Sequence, residues 1–203
     1  MCPLDPASSN ANPLLIRLYL TGFMGAGKST IGKMLAQRIG YKFYDTDHLV
    51  MRGFGKPVSR IFEENGEEAF RKAEMLVLKE LAGRNKVVVS TGGGTLVTDE
   101  PYQLARATGT LIYLRAPVAD LYERVIFSPK DRPVVDVPDN ETLFHERFEE
   151  RRQYYERSDL TVDTINRKPD DVVREIIAGF SLKVVRLPGG KSIPPEENAL
   201  ENL

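Results

Sequence analysis

Cysteine is nearly missing from this chain. Cys2 is the only one in 203 residues, so no disulfide can close within the chain, and a reducing, cytoplasmic setting is the expectation. Its place beside the terminus does not suit a catalytic thiol. An excess of one charge is also missing. The 28 Lys and Arg stand against 29 Asp and Glu, a net charge of −1, without the basic surplus that a broad nucleic-acid surface requires. No stretch approaches the ~20 apolar residues of a membrane span; residues 14–20 are too short and carry Arg17. The first residues lack the basic-then-apolar pattern of a secretory signal, and no internal repeat is evident. These absences argue against nucleic acid and membrane as partners. They leave a chain long enough for one α/β domain with a sizeable core, expected to act on small molecules as a monomer.

The most informative stretch that is present runs Gly22-Phe23-Met24-Gly25-Ala26-Gly27-Lys28-Ser29, which fits G-x-x-x-x-G-K-[ST]. Leu14-Leu15-Ile16-Arg17-Leu18-Tyr19-Leu20 before it reads as a buried strand. Ile31, Leu35 and Ile39 after it recur at helical spacing. Strand, glycine loop and helix form the context this motif requires. Glycines let the backbone curl so that successive N–H groups point at phosphate oxygens, and the helix turns its N-terminus to the same anion. Lys28 then brings a full charge to the β- and γ-phosphates, and Ser29 offers a hydroxyl to Mg²⁺.

Strands alternate with helices along the rest of the chain, which predicts a parallel sheet covered on both faces. Further strands are expected at residues 41–45, 86–91, 110–114 and, more weakly, 160–164. Helices are expected up to the C-cap Gly40, from about Asp47 to Gly53, over 59–83 with a break near Asn65-Gly66, around 118–127 and 141–157, and over 170–181. Phe70, Leu76, Val77 and Leu81 suit the buried side of the long helix. Residues 128–140 are irregular and rich in turn formers, so a lid is expected there. Residues 1–13 are polar and Pro-rich. The domain is placed at 14–182, with 183–203 as a tail outside it.

In parallel sheets ligands sit beyond the carboxyl ends of the strands. The second strand ends in Asp45-Thr46-Asp47, whose two carboxylates can face one crevice. One would hold Mg²⁺ near Ser29, directly or through water; the other would orient a substrate hydroxyl. A plainer alternative is that Asp47 only N-caps the next helix. The third strand ends in Ser90-Thr91-Gly92-Gly93-Gly94, where glycines permit close backbone approach to a ligand. Arg71, three residues before Glu74, has the spacing of an ordinary solvated ion pair. Arg132 sits in the expected lid, where it can clamp phosphate.

Taken in order, Gly-Phe-Met-Gly-Ala-Gly-Lys-Ser-Thr, Asp-Thr-Asp, Gly-Glu-x-x-Phe-Arg, Ser-Thr-Gly-Gly-Gly, Asp-Arg-Pro and Arg-Arg-Gln-Tyr-Tyr resemble the shikimate kinase family from about Leu15 to Phe180. The resemblance implies a three-layer α/β fold of the P-loop NTPase type, with a five-stranded parallel sheet, helices on both faces and a lid. It implies that ATP and Mg²⁺ serve to phosphorylate the 3-hydroxyl of shikimate, on the route to aromatic amino acids. Residue by residue, it implies that Gly25, Ala26, Gly27, Lys28, Ser29 and Thr30 hold ATP phosphates. Lys28, Asp47 and Arg132 would be the catalytic groups, with Ser29 and Asp45 on the metal side and Ser90 beside them. Asp47, Arg71, Gly92, Gly93, Gly94 and Arg151 would bind shikimate, with Phe62 and Phe70 as an apolar wall. Arg124, Arg132 and Arg167, the last within Arg167-Lys168-Pro169, would serve the nucleotide.

One departure concerns the carboxylate arginine. The family commonly has Arg, three residues, Tyr, then a small residue followed by Asp. Arg151 and Tyr155 keep the first spacing, whereas Ser158-Asp159 arrives one position early. Arg151 is chosen, with Arg152 as the alternative. Other P-loop kinases, acting on gluconate or nucleoside monophosphates, and a nucleotide-dependent module without activity are the competing readings of the same loop.

Overall fold

The computed structural model describes residues 17–127 and 141–184. Residues 1–13, the stretch 128–140 with Arg132, and all but the first two residues of 183–203 therefore lie outside the described residues. Five strands form one sheet: β1 (Arg17–Thr21), β2 (Lys42–Asp45), β3 (Val87–Ser90), β4 (Thr110–Arg115) and β5 (Leu160–Asp163). Their order is β2-β3-β1-β4-β5, and every neighbouring pair is parallel. The helices are α1 (Lys28–Ile39), α2 (Thr46–Phe54), α3 (Val58–Ala82), α4 (Asp99–Thr108), α5 (Val118–Ile126), α6 (Glu141–Glu156) and α7 (Pro169–Val184).

The alternation of side chains along a strand explains why the central strands read as continuous apolar runs. Leu18, Leu20, Val88 and Ile112 pack on one face with Ile31 and Leu35 of α1 and Val173 and Ile176 of α7. Tyr19, Val87, Val89 and Leu111 pack on the other face with Leu78 and Leu81 of α3 and Tyr102 and Ala105 of α4. Both faces are covered, as expected for a parallel sheet. A third, smaller cluster of Val50, Ile61 and Phe70 joins α2 to α3.

Two expectations need correction. Leu76 does not lie on the buried side of α3; it is 69% exposed, and Leu78 takes the core position instead. Helix α4 corresponds to no element expected between the glycine turn and β4. The expected break in α3 is present: Gly66 has φ 81° and ψ 165°, which is not helical. Only glycine adopts that backbone region readily.

Strand register levels the site. Asp45 and Leu20 both align with Ser90, so the ends of β2, β3 and β1 lie side by side. The acidic segment, the glycine turn and the phosphate loop leave the sheet together.

Candidate active site

The phosphate loop connects β1 to α1. Gly27 is the N-cap of α1 in the left-handed region, at φ 87°, and has no side chain with which to cap the first turn. The N–H groups of that turn therefore face the concave loop, which suits an anion. Lys28 Nζ donates to the carbonyls of Gly22 at 2.7 Å and Phe23 at 3.0 Å, so its ammonium lies over the loop.

Ser29 Oγ donates to Asp45 Oδ2 at 2.7 Å and is 3.5 Å from Ser90 Oγ. A hydroxyl and a carboxylate in contact are the hard oxygen donors that Mg²⁺ takes. Asp45, not Asp47, is the N-cap of α2: its carboxylate accepts from the His48 N–H. Asp47 in the first turn is therefore released from the capping role. Burial pushes its carboxyl up to about 7, helped by the like charges of Asp45 and Glu74 and opposed by Lys28 and Arg71. These four charges thus surround Asp47.

The glycine turn brings the acceptor side together. A side chain at Gly92 would collide with the Asp47 carboxylate, and one at Gly94 would lie 2.9 Å from Arg71 Nη1. A Cβ at Gly93 would lie 3.6 Å from the Met24 nitrogen of the phosphate loop and 3.9 Å from Arg151 Nη1. Asp47, Arg71 and Arg151 therefore converge on three glycines beside the loop. Arg152 points elsewhere, pairing with Glu149 and Glu156 on the outside of α6 at 50% side-chain exposure. Phe62 and Phe70 meet at a tilt of 43° with centroids 4.8 Å apart, and the Arg71 guanidinium lies 5.5 Å from the Phe70 ring.

Arg71 is not the solvated surface pair that its spacing suggests. Glu74 is only 2% exposed. It accepts from Arg71 Nη1 at 2.6 Å and from Thr95 Oγ1 at 2.5 Å, while Glu67 accepts from Arg71 Nε and Nη2. The fork is thereby held with its direction set. Sequence reasoning missed Glu74 as a site residue because an i, i+3 pair looks the same whether it is dry or wet.

On the nucleotide side, Arg124 donates to the Gly25 carbonyl at 3.4 Å and to Thr164, which ties it to the loop. Arg167 is engaged by Glu175 and by the carbonyls of Asp163 and Asp171, which ties it to the turn between β5 and α7.

Comparison with known proteins gives this geometry a family. The shikimate kinase family model matches residues 24–180. The shikimate kinase of Chlorobium luteolum is 38% identical over 179 residues, which cover 84% of this chain and 88% of that protein. The crystal structure of shikimate kinase from Aquifex aeolicus is similar with a TM-score of 0.73 at 37% identity, over 84% of this chain and 99% of that one. Shikimate kinase from Acinetobacter baumannii in complex with shikimate is similar with a TM-score of 0.76 at 32% identity, over 90% of this chain and 99% of that one. A phosphate loop at the end of β1, two aspartates at the end of β2 and a glycine turn faced by arginines thus stand in a chain that belongs to the shikimate kinase family.

Proposed function

We propose that this chain transfers the γ-phosphate of ATP to the 3-hydroxyl of shikimate, giving shikimate 3-phosphate and ADP for aromatic amino acid synthesis. The observation that carries the reading is the convergence of one aspartate and two arginines on the glycine turn beside Lys28. A ring acid with hydroxyl groups needs an acceptor for its hydroxyls and planar cations for its carboxylate. Asp47 supplies the first; Arg71 and Arg151 supply the second.

ATP fits the uncapped, glycine-built N-terminus of α1, and Mg²⁺ fits the Ser29–Asp45 oxygen pair. Among the described residues no group of three His, Cys, Asp or Glu side chains gathers around a cation. That suits Mg²⁺, which commonly takes one or two protein oxygens and completes its shell with phosphates and water. MgATP, when bound, supplies the phosphoryl group. Gly25 to Thr30 bind its phosphates through the loop and the start of α1. Lys28 places positive charge where the transferred group develops negative charge. Asp47 orients the attacking hydroxyl and accepts its proton, a task for which a carboxyl poised near neutrality is suited. Arg71 and Arg151 hold the acid end, and the backbone of the glycine turn lies against the ring. Arg124, Arg167 and Arg132 are proposed to serve the nucleotide. A single chain carries the whole acceptor site, which supports action as a monomer. No described helix is long and apolar enough to cross a membrane, and the scarcity of cysteine supports a cytoplasmic setting.

The test is ADP release measured with shikimate, gluconate and nucleoside monophosphates as acceptors. Release with shikimate alone supports the reading, and release with either of the others in its place overturns it.

Two substitutions probe the acid end. Arg71→Lys keeps the charge and loses the fork, so shikimate KM is expected to rise about ten- to a hundredfold, the size of a lost hydrogen bond to a charged group. ATP KM is expected to stay nearly constant, and a parallel rise in both would refute the assignment. Arg151→Ala is expected to weaken shikimate by at least as much, whereas Arg152→Ala, on the solvated face of α6, is expected to change it less than about threefold. The reverse pattern in steady-state kinetics would move the carboxylate contact to Arg152.

A further inference from the structure

The glycine turn has no side chains with which to orient its own peptide planes, so their directions are set from outside. The Gly92 N–H donates to Thr46 Oγ1 at 2.8 Å. The Gly92 carbonyl accepts from the Thr95 N–H at 3.2 Å. The Gly93 carbonyl accepts from the Tyr155 hydroxyl at 2.5 Å. Thr46 and Tyr155 are both buried. Because a peptide unit is planar, these three bonds fix three successive units. The middle one carries the Gly93 N–H, and the last carries the Gly94 N–H on the side opposite the Tyr155 hydroxyl.

Tyr155 lies one helical turn beyond Arg151, on the same side of α6. Its ring stacks on Tyr113 of β4, with centroids 5.4 Å apart and planes 29° apart. Tyr155 thus joins the helix that carries Arg151 to the Gly93–Gly94 peptide of the glycine turn.

We propose that Tyr155 is a positioning residue for recognition of the acid, with Thr46 as its counterpart across the glycine turn. Its hydroxyl holds the Gly93 carbonyl toward α6, which aims the neighbouring N–H groups into the acceptor site and sets Arg151 at its distance from them. The inference rests on the reading of Arg151 as a carboxylate ligand.

Tyr155→Phe removes the hydroxyl and keeps the ring. The variant is expected to raise shikimate KM about tenfold while ATP KM and kcat stay within about threefold, the split that marks lost acceptor binding. Combined with Arg151→Ala, it should add less than its own effect, because the two residues act on one ligand group. Tyr102→Phe is the control. Its buried hydroxyl also donates to a backbone carbonyl, that of Arg157 at 3.1 Å, but away from the turn, so it is expected to lower Tm and leave shikimate KM unchanged. If Tyr155→Phe does not fold, Thr46→Val, which releases the same turn from its other side, must show the same selective rise in shikimate KM. An unchanged shikimate KM, or equal rises for shikimate and ATP, in the variant that folds overturns the inference. A rise in Arg151→Ala without one in Tyr155→Phe overturns the positioning role and leaves the carboxylate assignment standing. No rise in Arg151→Ala overturns that assignment and the inference with it.

Discussion

Lys28→Ala is expected to lower kcat by at least about 10²–10³-fold, the effect of deleting a single donor aimed at developing charge. The fold is expected to survive, because Lys28 Nζ is bound to the carbonyls of Gly22 and Phe23 within its own loop. Far-UV circular dichroism should therefore match the wild type while turnover collapses. Lys28 also holds down the proton affinity of Asp47, so the variant's residual activity should need a higher pH than the wild type's. A folded Lys28→Ala enzyme with turnover within about tenfold of wild type would remove the loop from the chemistry.

Asp47→Asn is expected to do two opposite things: abolish turnover and raise stability. The carboxyl is pushed up to about 7 by burial and by Asp45 and Glu74. In the unfolded chain it titrates near its ordinary value of 3.8. The folded state therefore binds the proton more tightly than the unfolded state. Below the unfolded value both states are protonated and the ionised carboxylate costs nothing. As pH rises from the unfolded value to the folded value the cost builds, and above the folded value it is complete. Asparagine stays neutral throughout. Its gain should be greatest at pH 8, about 1–3 kcal/mol after allowance for water reaching the half-buried group. At about 2–4 °C per kcal/mol this is a Tm rise of about 2–12 °C. The gain should shrink as pH falls toward 5, and thermal melts at both pH values measure it. For the wild type, kcat/KM for shikimate should fall as pH drops through about 7, because a protonated Asp47 accepts no proton. A less stable Asp47→Asn at pH 8 would show that the carboxylate is not strained by its neighbours.

Legibility followed the strength of the physical signal. The phosphate loop, the central strands and Gly40 as the C-cap of α1 could be read because each follows from local chemistry: glycine spacing, continuous burial on two faces, and a left-handed cap at φ 70°. The break at Gly66 was legible for the same reason. Helix α4 was not, because only Tyr102 and Ala105 are buried along it, too few to make a periodic stripe. Leu76 was misplaced because four successive apolar residues, Met75 to Leu78, leave the buried face of α3 undetermined until the sheet selects Leu78. Within the site, Asp47 and Arg71 could be named from motifs, but their environments could not. The seclusion of Glu74 depends on the turn after β3 meeting α3, where Thr95 donates to it, a contact between segments far apart in the chain.

The kink in α3 has a consequence for the breadth of substrates. Gly66 separates a first arm, which carries Ile61 and Phe62 and packs on α2, from a second arm that carries Phe70, Arg71 and Glu74. A side chain at position 66 would meet no atom within 4 Å, so only the backbone angles resist its replacement. The angle between the two arms is thus set by one pair of dihedrals together with the Phe62–Phe70 contact that bridges them. Position 66 is therefore a calibration point for acceptor size: a residue that straightens the helix there would change the gauge of the acceptor site without touching any group that contacts the acceptor.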